Sequence, residues 1–275
     1  MMEIPESYSV AEQLRQTIVG KTIAEVLPPS SPHSFTWYRG EPEEYDALLA
    51  GATITDVQGF GAFAELEAGS LRLAIGDGAT FRYYEAEEKL PTKYQLHVGF
   101  TDGSALRCTV QMYGGIWAFP VDAFNNDFYR GAKHAISPLS DAFTLEYFTS
   151  LLNAKTTKLS TKAFLATEQR IPGLGNGVLQ DILWRARLHP KRKMNTLSDS
   201  DVHNLFDVLK QTLAEMAAAG GRDTERDIFG NYGCFRTVMS RNNKAGICPV
   251  CGDSIIRFAY LGGNVYVCET CQPLN

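Results

Sequence analysis

Four cysteines near the C-terminus form two Cys-x2-Cys pairs, Cys248 with Cys251 and Cys268 with Cys271. Four thiolates at this spacing match the tetrahedral ligand set of a structural zinc ion and leave no coordination position open for chemistry. Between the pairs, two β-prone runs flank Gly262-Gly263-Asn264, which predicts a hairpin with these three residues as its turn. The sequence therefore predicts one structural zinc ion on a C-terminal hairpin.

A glycine-rich turn at residues 171–178 leads into a predicted helix. Free amides at a helix N-terminus form a ready anion site, and Gly175 would let a ligand approach the backbone closely. Asn176 is placed either to cap the helix or to donate to a phosphate oxygen. The densest basic cluster of the chain follows: Arg185, Arg187, His189, Lys191, Arg192 and Lys193. The turn alone has a purely structural interpretation, but together with this cluster and the hairpin it favours binding of a phosphate backbone.

The elements that must position these residues change type along the chain. A helix is predicted over Tyr8–Val19, ended by Gly20. Short β-prone runs with Gly- and Asp-rich turns follow to about residue 120, at the spacing of a β-sandwich or barrel. These predicted strands are Thr22–Val26, Ala52–Val57, Phe63–Glu67, Leu71–Ile75, Tyr94–Phe100, Ala105–Val110 and Ile116–Phe119.

After Pro138-Leu139-Ser140-Asp141 the apolar period becomes helical. The predicted helices are Phe143–Leu152, Ser160–Thr167, Val178–Arg187 and Ser198–Ala219, the last with Ser198 as N-cap and Asp201 three residues on. We expect an α+β, two-domain fold. Its predicted parts are an N-terminal helix and β-sandwich (1–135), a linker (136–142), a helical domain (143–240) and the zinc hairpin (241–275).

Charge is segregated between the two halves of the 275-residue chain, whose net charge is −5. Residues 1–142 carry 10 Lys and Arg against 19 Asp and Glu, whereas residues 143–275 carry 16 against 12. This places any contact with a polyanion mainly in the C-terminal half. The sequence has neither an apolar run of membrane-spanning length nor a signal-peptide pattern, and Cys108 and Cys234 are expected as buried thiols. We expect a cytoplasmic protein that does not enter a membrane.

Taken together, these motifs resemble the formamidopyrimidine-DNA glycosylase and endonuclease VIII family over essentially the full chain. The resemblance covers Glu3-Ile4-Pro5-Glu6 followed by a helix, and the linker Pro138-Leu139-Ser140-Asp141. It continues with the helix–two-turn–helix segment from Lys162 through Gly173-Leu174-Gly175-Asn176. It ends with the four-cysteine finger closing on Cys271-Gln272.

The resemblance implies a monomeric, nucleoid-associated bacterial-type repair enzyme that binds damaged or abasic duplex DNA between two domains. Such enzymes flip the lesion out of the stack. An N-terminal amine then attacks C1′ of the sugar, the base leaves as a Schiff base forms, and both flanking phosphates are eliminated. Among protein amines the α-amine has the lowest ordinary pKa, so a usable fraction is neutral near pH 7.

The resemblance also implies roles for individual residues. Met2 stands where the family has its nucleophilic proline, and a primary amine there would still form a Schiff base if the chain began at Met2. If Met1 is retained, the amine lies one residue too far out and Met2 has no catalytic role. Glu3 would transfer protons, and Glu6 would support the N-terminal turn. Lys162 and Asn176 would hold the phosphate at the flipped nucleotide.

Several positions depart from the family pattern. A phosphate-contacting lysine corresponds to Ala62, a wedge methionine to Asp77 and the arginine at the finger tip to Gly263. Met112 and Tyr113 stand close to the positions at which family members carry the residues that fill the gap left by a flipped base. They are either replacements for the wedge, since apolar and aromatic side chains can enter a base step, or ordinary strand residues.

These departures leave three hypotheses for function. The first is a divergent glycosylase and AP lyase. The second is a non-catalytic protein that binds damaged DNA on the same scaffold. The third is a zinc-ribbon protein that uses its helical module to bind RNA or protein.

Overall fold

The computed structural model describes residues 1–274, and its first element is the 15-residue helix α1 (Ile4–Ile18). The helix begins four residues before the predicted start because Glu3 and Glu6 form a reciprocal capping box and Pro5 occupies the first turn. Leu14 and Ile18 on its inner face are fully buried in the core of the N-terminal domain.

Seven strands form one hydrogen-bonded sheet in the order β1-β6-β7-β5-β4-β3, with β2 parallel to β7. The strands are β1 (Ile23–Leu27), β2 (Thr36–Tyr38), β3 (Asp56–Phe60), β4 (Phe63–Ala68), β5 (Leu71–Tyr84), β6 (Leu96–Phe100) and β7 (Ala105–Pro120). The short helix α2 (Tyr45–Leu49) lies between β2 and β3. The sequence did not predict β2 or α2, since each is too short to show a period.

The two long strands β5 and β7 pair along nearly their whole length and belong to both layers of the sandwich. Residues 71–76 of β5 also pair with β4, whereas residues 105–108 of β7 pair with β6. The predicted strands Ala105–Val110 and Ile116–Phe119 are therefore parts of one strand. Side chains from both layers share one apolar core, which includes Val26, Leu66, Leu73, Val98 and Leu106. The predicted sandwich is thus a single bent sheet.

Five helices follow: α3 (Asp127–His134), α4 (Leu145–Ser150), α5 (Thr161–Ala166), α6 (Asn176–Arg185) and α7 (Asp199–Ala218). The predicted capping box of Ser198 and Asp201 at the start of α7 is confirmed. The apolar faces of α4, α5, α6 and α7 form a second core, to which α1 contributes Ile4, whereas α3 packs Tyr129 and Ala132 against the sheet. Helix α3 was not predicted; it is capped by Asn126. None of the helices within residues 1–274 has the length and apolarity needed to cross a membrane.

The C-terminal hairpin consists of β8 (Ile256–Tyr260) and β9 (Gly263–Val267). Tyr260 pairs with Gly263, so the turn is Leu261-Gly262 and the prediction that Gly263 and Asn264 belong to the turn is wrong. Both turn residues have positive φ, 47° at Leu261 and 74° at Gly262. This is the geometry that matches the twist of two-residue hairpins.

The two cysteines outside the hairpin differ in their surroundings. Cys108 is buried in the core of the sheet domain, where burial raises the pKa of its thiol. Cys234 is exposed, so the prediction that it is a buried thiol is wrong. It follows α7 in a segment without regular structure, where the neighbouring Phe235, and not Cys234, packs into the second core.

Candidate active site at the N-terminus

Arg222 is fully enclosed at the junction of the two cores and forms a two-pronged ion pair with Glu6. Its Nε donates to Glu6 Oε1 at 2.9 Å and its Nη2 donates to Oε2 at 2.7 Å. The backbone amides of Arg222 and Glu3 also donate to this carboxylate, each at 3.1 Å. Burial alone would raise the pKa of Glu6, but the charge and hydrogen bonds of Arg222 outweigh it and lower that pKa.

Glu3 joins the N-terminus to the start of α6. Its carboxylate accepts hydrogen bonds from the amides of Gly177 at 2.9 Å and Val178 at 2.7 Å. It is buried, and Arg222 Nη1 lies 3.6 Å from its Oε2. Burial raises the pKa of Glu3. The positive charge of Arg222 opposes this rise, and the negative charge of Glu6 adds to it. The site therefore contains one firmly ionised carboxylate, Glu6, and one that takes up a proton more readily, Glu3.

Two glycines of the predicted phosphate turn make room for this network. A Cβ on Gly177 would lie 1.6 Å from Arg222 Nη1, and a Cβ on Gly175 would lie 2.6 Å from the Glu3 carboxyl carbon. Both positions therefore need glycine for close packing against the N-terminal segment. We predicted this turn as an anion site. In the structure, the first amides of α6 bind the carboxylate of Glu3.

The terminal amine lies at the edge of this network. The Met1 ammonium forms an ion pair with Glu225, and the Met2 amide donates to the Asp77 carbonyl at 3.2 Å. Met2 itself is buried in the core of the sheet domain. Asp77 has a positive φ of 58°, and burial raises the pKa of its carboxyl to about 6.

A cavity of about 220 Å³ opens beside the amine, between the sheet and the segment that follows α7. Its walls come from the N-terminus, from β5 and β7, and from residues 224–241. Polar and charged side chains dominate the wall from the last of these segments: Thr224, Glu225, Arg226, Asp227, Tyr232 and Arg241. The cavity thus combines a primary amine, carboxylates and hydrogen-bonding groups in one place.

Met112 and Tyr113 lie in a bulge of β7 next to the amine. Ala79 pairs with Val110 and Asp77 with Gly114, so three residues of β7 stand opposite one residue of β5. Met112 is 64% exposed and Tyr113 is 36% exposed, and the Tyr113 hydroxyl reaches the Met1 sulfur at 3.8 Å. These residues therefore belong to a strand, and they also stand exposed beside the cavity.

Lys162 and Asn176 both reach the hairpin. Lys162 is buried, its Nζ donates to the Tyr260 carbonyl at 2.6 Å, and burial lowers its pKa. Asn176 Nδ2 donates to the Asn264 carbonyl at 2.9 Å, and the Gln180 side chain donates to the same carbonyl at 3.0 Å. The structure therefore brings together the start of α6, the start of α5 and the hairpin tip.

The four predicted ligand cysteines are gathered in one cluster. Their sulfur atoms all lie within 4.8 Å of one another, with Cys248 and Cys271 3.8 Å apart and Cys251 and Cys268 3.3 Å apart. Four sulfurs at about 2.3 Å from a central ion stand at similar separations, so the donor set fits a tetrahedral metal site. Gln272 holds the Cys268–Cys271 pair in place: its side-chain oxygen accepts a hydrogen bond from the Cys268 amide, and its side-chain nitrogen donates to the Leu188 carbonyl.

Comparisons with known proteins agree with this architecture. The family model described as the formamidopyrimidine-DNA glycosylase H2TH domain matches residues 135–227. A formamidopyrimidine-DNA glycosylase of Brevibacillus brevis is 30% identical, with 99% of each chain covered. A second, from Pelotomaculum thermopropionicum, is also 30% identical, with 100% of each chain covered.

The chain belongs to the formamidopyrimidine-DNA glycosylase family. Solved structures show the same fold: Lactococcus lactis Fpg in complex with DNA containing an abasic site has a TM-score of 0.80 at 23% identity, covering 98% of this chain and 99% of that chain. A mutant of that protein, in complex with DNA containing Fapy-dG, also has a TM-score of 0.80, at 22% identity and with the same coverage of both chains. The predicted α+β fold with its sheet domain, helical domain and four-cysteine hairpin is confirmed.

Three residues of the site were not found from the sequence: Arg222, Asp77 as a neighbour of the N-terminus, and Glu225. The segment from Gly220 to Lys244 showed no period and no motif. A signal existed for Arg222, because two carboxylates in the first helical turn of a buried N-terminus require a cation. That argument would not have identified which arginine supplies it.

Proposed function

We propose that this protein is a DNA glycosylase and AP lyase that acts on damaged or abasic duplex DNA through its terminal α-amine. The observation that supports this most directly is the polar cavity whose wall contains the N-terminal residues Met1 and Met2 together with the carboxylates of Glu6 and Glu225. Family membership adds support, since the relatives are named for glycosylase activity. The Lactococcus lactis relative was solved on DNA with an abasic site.

The proposed chemistry uses the amine lone pair to form a bond to C1′ of the sugar. The bond from C1′ to the base breaks and its electron pair leaves with the base, which takes up a proton. The sugar ring then opens to give a Schiff base, and loss of the C2′ proton expels the 3′ phosphate. Glu3, whose pKa is raised by burial, is the group we assign to carry protons in these steps.

The identity of the amine depends on the mature N-terminus. If the chain begins at Met2, the new amine lies beside the Asp77 carbonyl and next to Glu3, where the family nucleophile would stand. If Met1 is kept, the amine lies in the cavity wall and is paired with Glu225, which must then accept its proton before attack. We favour the amine of Met2 as the nucleophile, because Glu3 is the next residue along the chain.

DNA binding would involve the basic helical domain. We assign Lys162, Gly175 and Asn176 to the phosphate of the flipped nucleotide, and Met112 with Tyr113 to the gap in the stack. Cys248, Cys251, Cys268 and Cys271 would hold one structural zinc ion, which supplies folding free energy to the hairpin. We also propose the domain division predicted from the sequence: a sheet domain at 1–135, a linker at 136–142, a helical domain at 143–240 and the zinc hairpin at 241–275.

Borohydride trapping on a duplex with an abasic site tests the activity. We expect a covalent adduct, and peptide mapping by mass spectrometry identifies the modified residue as Met2 or Met1. The Glu3→Gln variant is expected to bind the duplex but to form the adduct much more slowly. The absence of an adduct with protein of verified N-terminus would refute the lyase proposal.

A non-catalytic binder of damaged DNA is the second candidate. The observation that favours it is the ion pair of the Met1 ammonium with Glu225, which occupies the amine, while residue 2 contributes only an amide. In this case the protein would bind an abasic duplex more tightly than an undamaged duplex and leave its strands uncut. Equal affinity for an abasic duplex, an undamaged duplex and RNA would instead favour the third hypothesis.

A further inference from the structure

An exposed aromatic strip runs along the edge of the sheet next to the candidate active site. Phe35, in the turn that precedes β2, is 60% exposed, and Trp37, within β2, is 50% exposed. The Trp37 and Tyr113 rings lie 5.9 Å apart. Exposed rings that lie close together, as Trp37 and Tyr113 do, often mark surfaces that bind a ligand or partner.

The backbone holds this strip in place. Residues 36–38 pair in parallel with residues 114–116 of β7, and the Gly114 amide donates to the Phe35 carbonyl at 3.0 Å. On the other side of β7, Gly78 of β5 lets these two strands approach each other, since a Cβ there would lie 2.5 Å from the Tyr113 carbonyl oxygen. The rings are therefore presented on a fixed edge of the sheet, so little conformational freedom is lost when a flat ligand stacks on them.

The strip reaches the side chain of the N-terminal residue. The Tyr113 hydroxyl contacts the Met1 sulfur, and Tyr113 in turn lies against Trp37. The three rings carry no charged group, which suits the neutral face of a nucleobase better than a phosphate. Stacking on an aromatic ring binds any base, because every base has a π-face.

We propose that Phe35, Trp37 and Tyr113 form a stacking platform for the unpaired base that stands opposite the damaged nucleotide. This inference rests on the proposed function, because it takes the damaged nucleotide to lie at the amine. That base has lost its pairing partner, which lowers the cost of moving it out of the stack, so its face can lie on Trp37 while the sugar of the damaged nucleotide lies in the cavity. The role falls to β2, a strand with no part in the proposed chemistry.

The test measures binding to a duplex with a tetrahydrofuran abasic analogue opposite 2-aminopurine. Stacking on Trp37 is expected to quench the 2-aminopurine emission when the wild-type protein binds. Trp37→Ala should restore the emission and weaken binding roughly 5- to 100-fold, whereas Trp37→Phe should keep most of both effects. Val19→Ala, which removes an exposed apolar side chain at the end of α1, is the matched control and should change neither.

Three results would overturn the platform. The first is an unchanged affinity and an unchanged emission with both Trp37→Ala and Phe35→Ala. The second is an equal loss of affinity for a fully paired undamaged duplex. The third is a change in oligomeric state by sedimentation with DNA binding intact, which would make the strip a contact between two copies of the chain.

The platform and the lyase activity fail in different assays. Quenching without any borohydride adduct would refute the lyase and leave the platform standing. An adduct formed by wild-type protein, with unchanged binding and emission in the Trp37 and Phe35 variants, would refute the platform alone. Melting temperatures of all variants show whether they are folded, and Phe35→Ala gives an independent result if Trp37→Ala is not.

Discussion

Replacing Arg222 with methionine should destabilise the protein more than any surface substitution. The change leaves Glu6 buried with only two of its four hydrogen-bond donors, the amides of residues 3 and 222, and without an opposing charge. Removing one partner of a buried ion pair typically costs about 3–5 kcal/mol of unfolding free energy. For a chain of this size, this corresponds to a fall in melting temperature of roughly 6–15 °C.

The cost should depend on pH. In the wild-type protein the pKa of Glu6 is lowered, so its contribution to stability is present above the ordinary carboxyl pKa and is lost as the pH falls through the folded-state pKa. In Arg222→Met the buried carboxyl has no cation, so its folded-state pKa rises above the unfolded one and the variant loses stability as the pH rises. The difference between the two proteins should therefore grow from about pH 4 to about pH 8.

Chemical denaturation of four proteins measures this: wild type, Arg222→Met, Glu6→Gln and the double variant. Because the two side chains bond directly, the double variant should cost at least about 1 kcal/mol less than the sum of the single variants. Glu215→Gln, which removes an exposed partner of Arg185, is the control and should cost less than about 1 kcal/mol. Additive losses, or a difference between the proteins that does not change with pH, would refute this account of the network.

Four further predictions concern other parts of the site. Gly177→Ala should destabilise the protein by about 1–3 kcal/mol in a thermal melt, because its Cβ would meet Arg222, whereas Gly131→Ala in open space should be neutral or slightly stabilising; equal effects would contradict the packing argument. Cys268→Ser should lose its metal and unfold the hairpin, and full retention of zinc by elemental analysis would contradict the ligand set. Burial raises the pKa of Asp77 to about 6, so the wild-type protein should lose stability as the pH rises from about 4 to about 6. Asp77→Asn should not show this loss, and identical pH profiles of the two proteins would contradict the prediction. Asn176→Ala should weaken DNA affinity equally for every lesion base, and an unchanged dissociation constant would place the phosphate site elsewhere.

The elements with a clear period or cap could be predicted from the sequence, and the contacts between distant segments could not. Helix α7 and its capping box followed from Ser198 and Asp201, and the four-cysteine cluster followed from cysteine spacing. The predicted turn of the hairpin began one residue too late and ended two residues too late, because Leu261 adopts a positive φ, which its side chain does not suggest. A run of glycines at 262–263 offered two turn positions, and only the strand register decides between them.

The candidate site shows the same division. Glu3 and Glu6 were found through the family resemblance that Glu3-Ile4-Pro5-Glu6 carries, although the predicted helix began only at Tyr8. Arg222 lies more than 200 residues away along the chain, and its partnership with Glu6 arises only when α1 packs against α7. Phe35 and Trp37 also escaped notice, because a three-residue parallel strand leaves no alternation to detect.

The two long strands β5 and β7 have a consequence for how the sheet domain opens. Since each strand passes through both layers, neither layer can separate without breaking the ladder between residues 71–84 and 105–120. Amide hydrogens at both ends of this ladder should therefore exchange with solvent only in one cooperative event, at a common rate set by global unfolding. The bulge at Gln111, Met112 and Tyr113 interrupts the ladder at its midpoint, and fast exchange there would give a local reporter of motion beside the cavity within an otherwise closed domain.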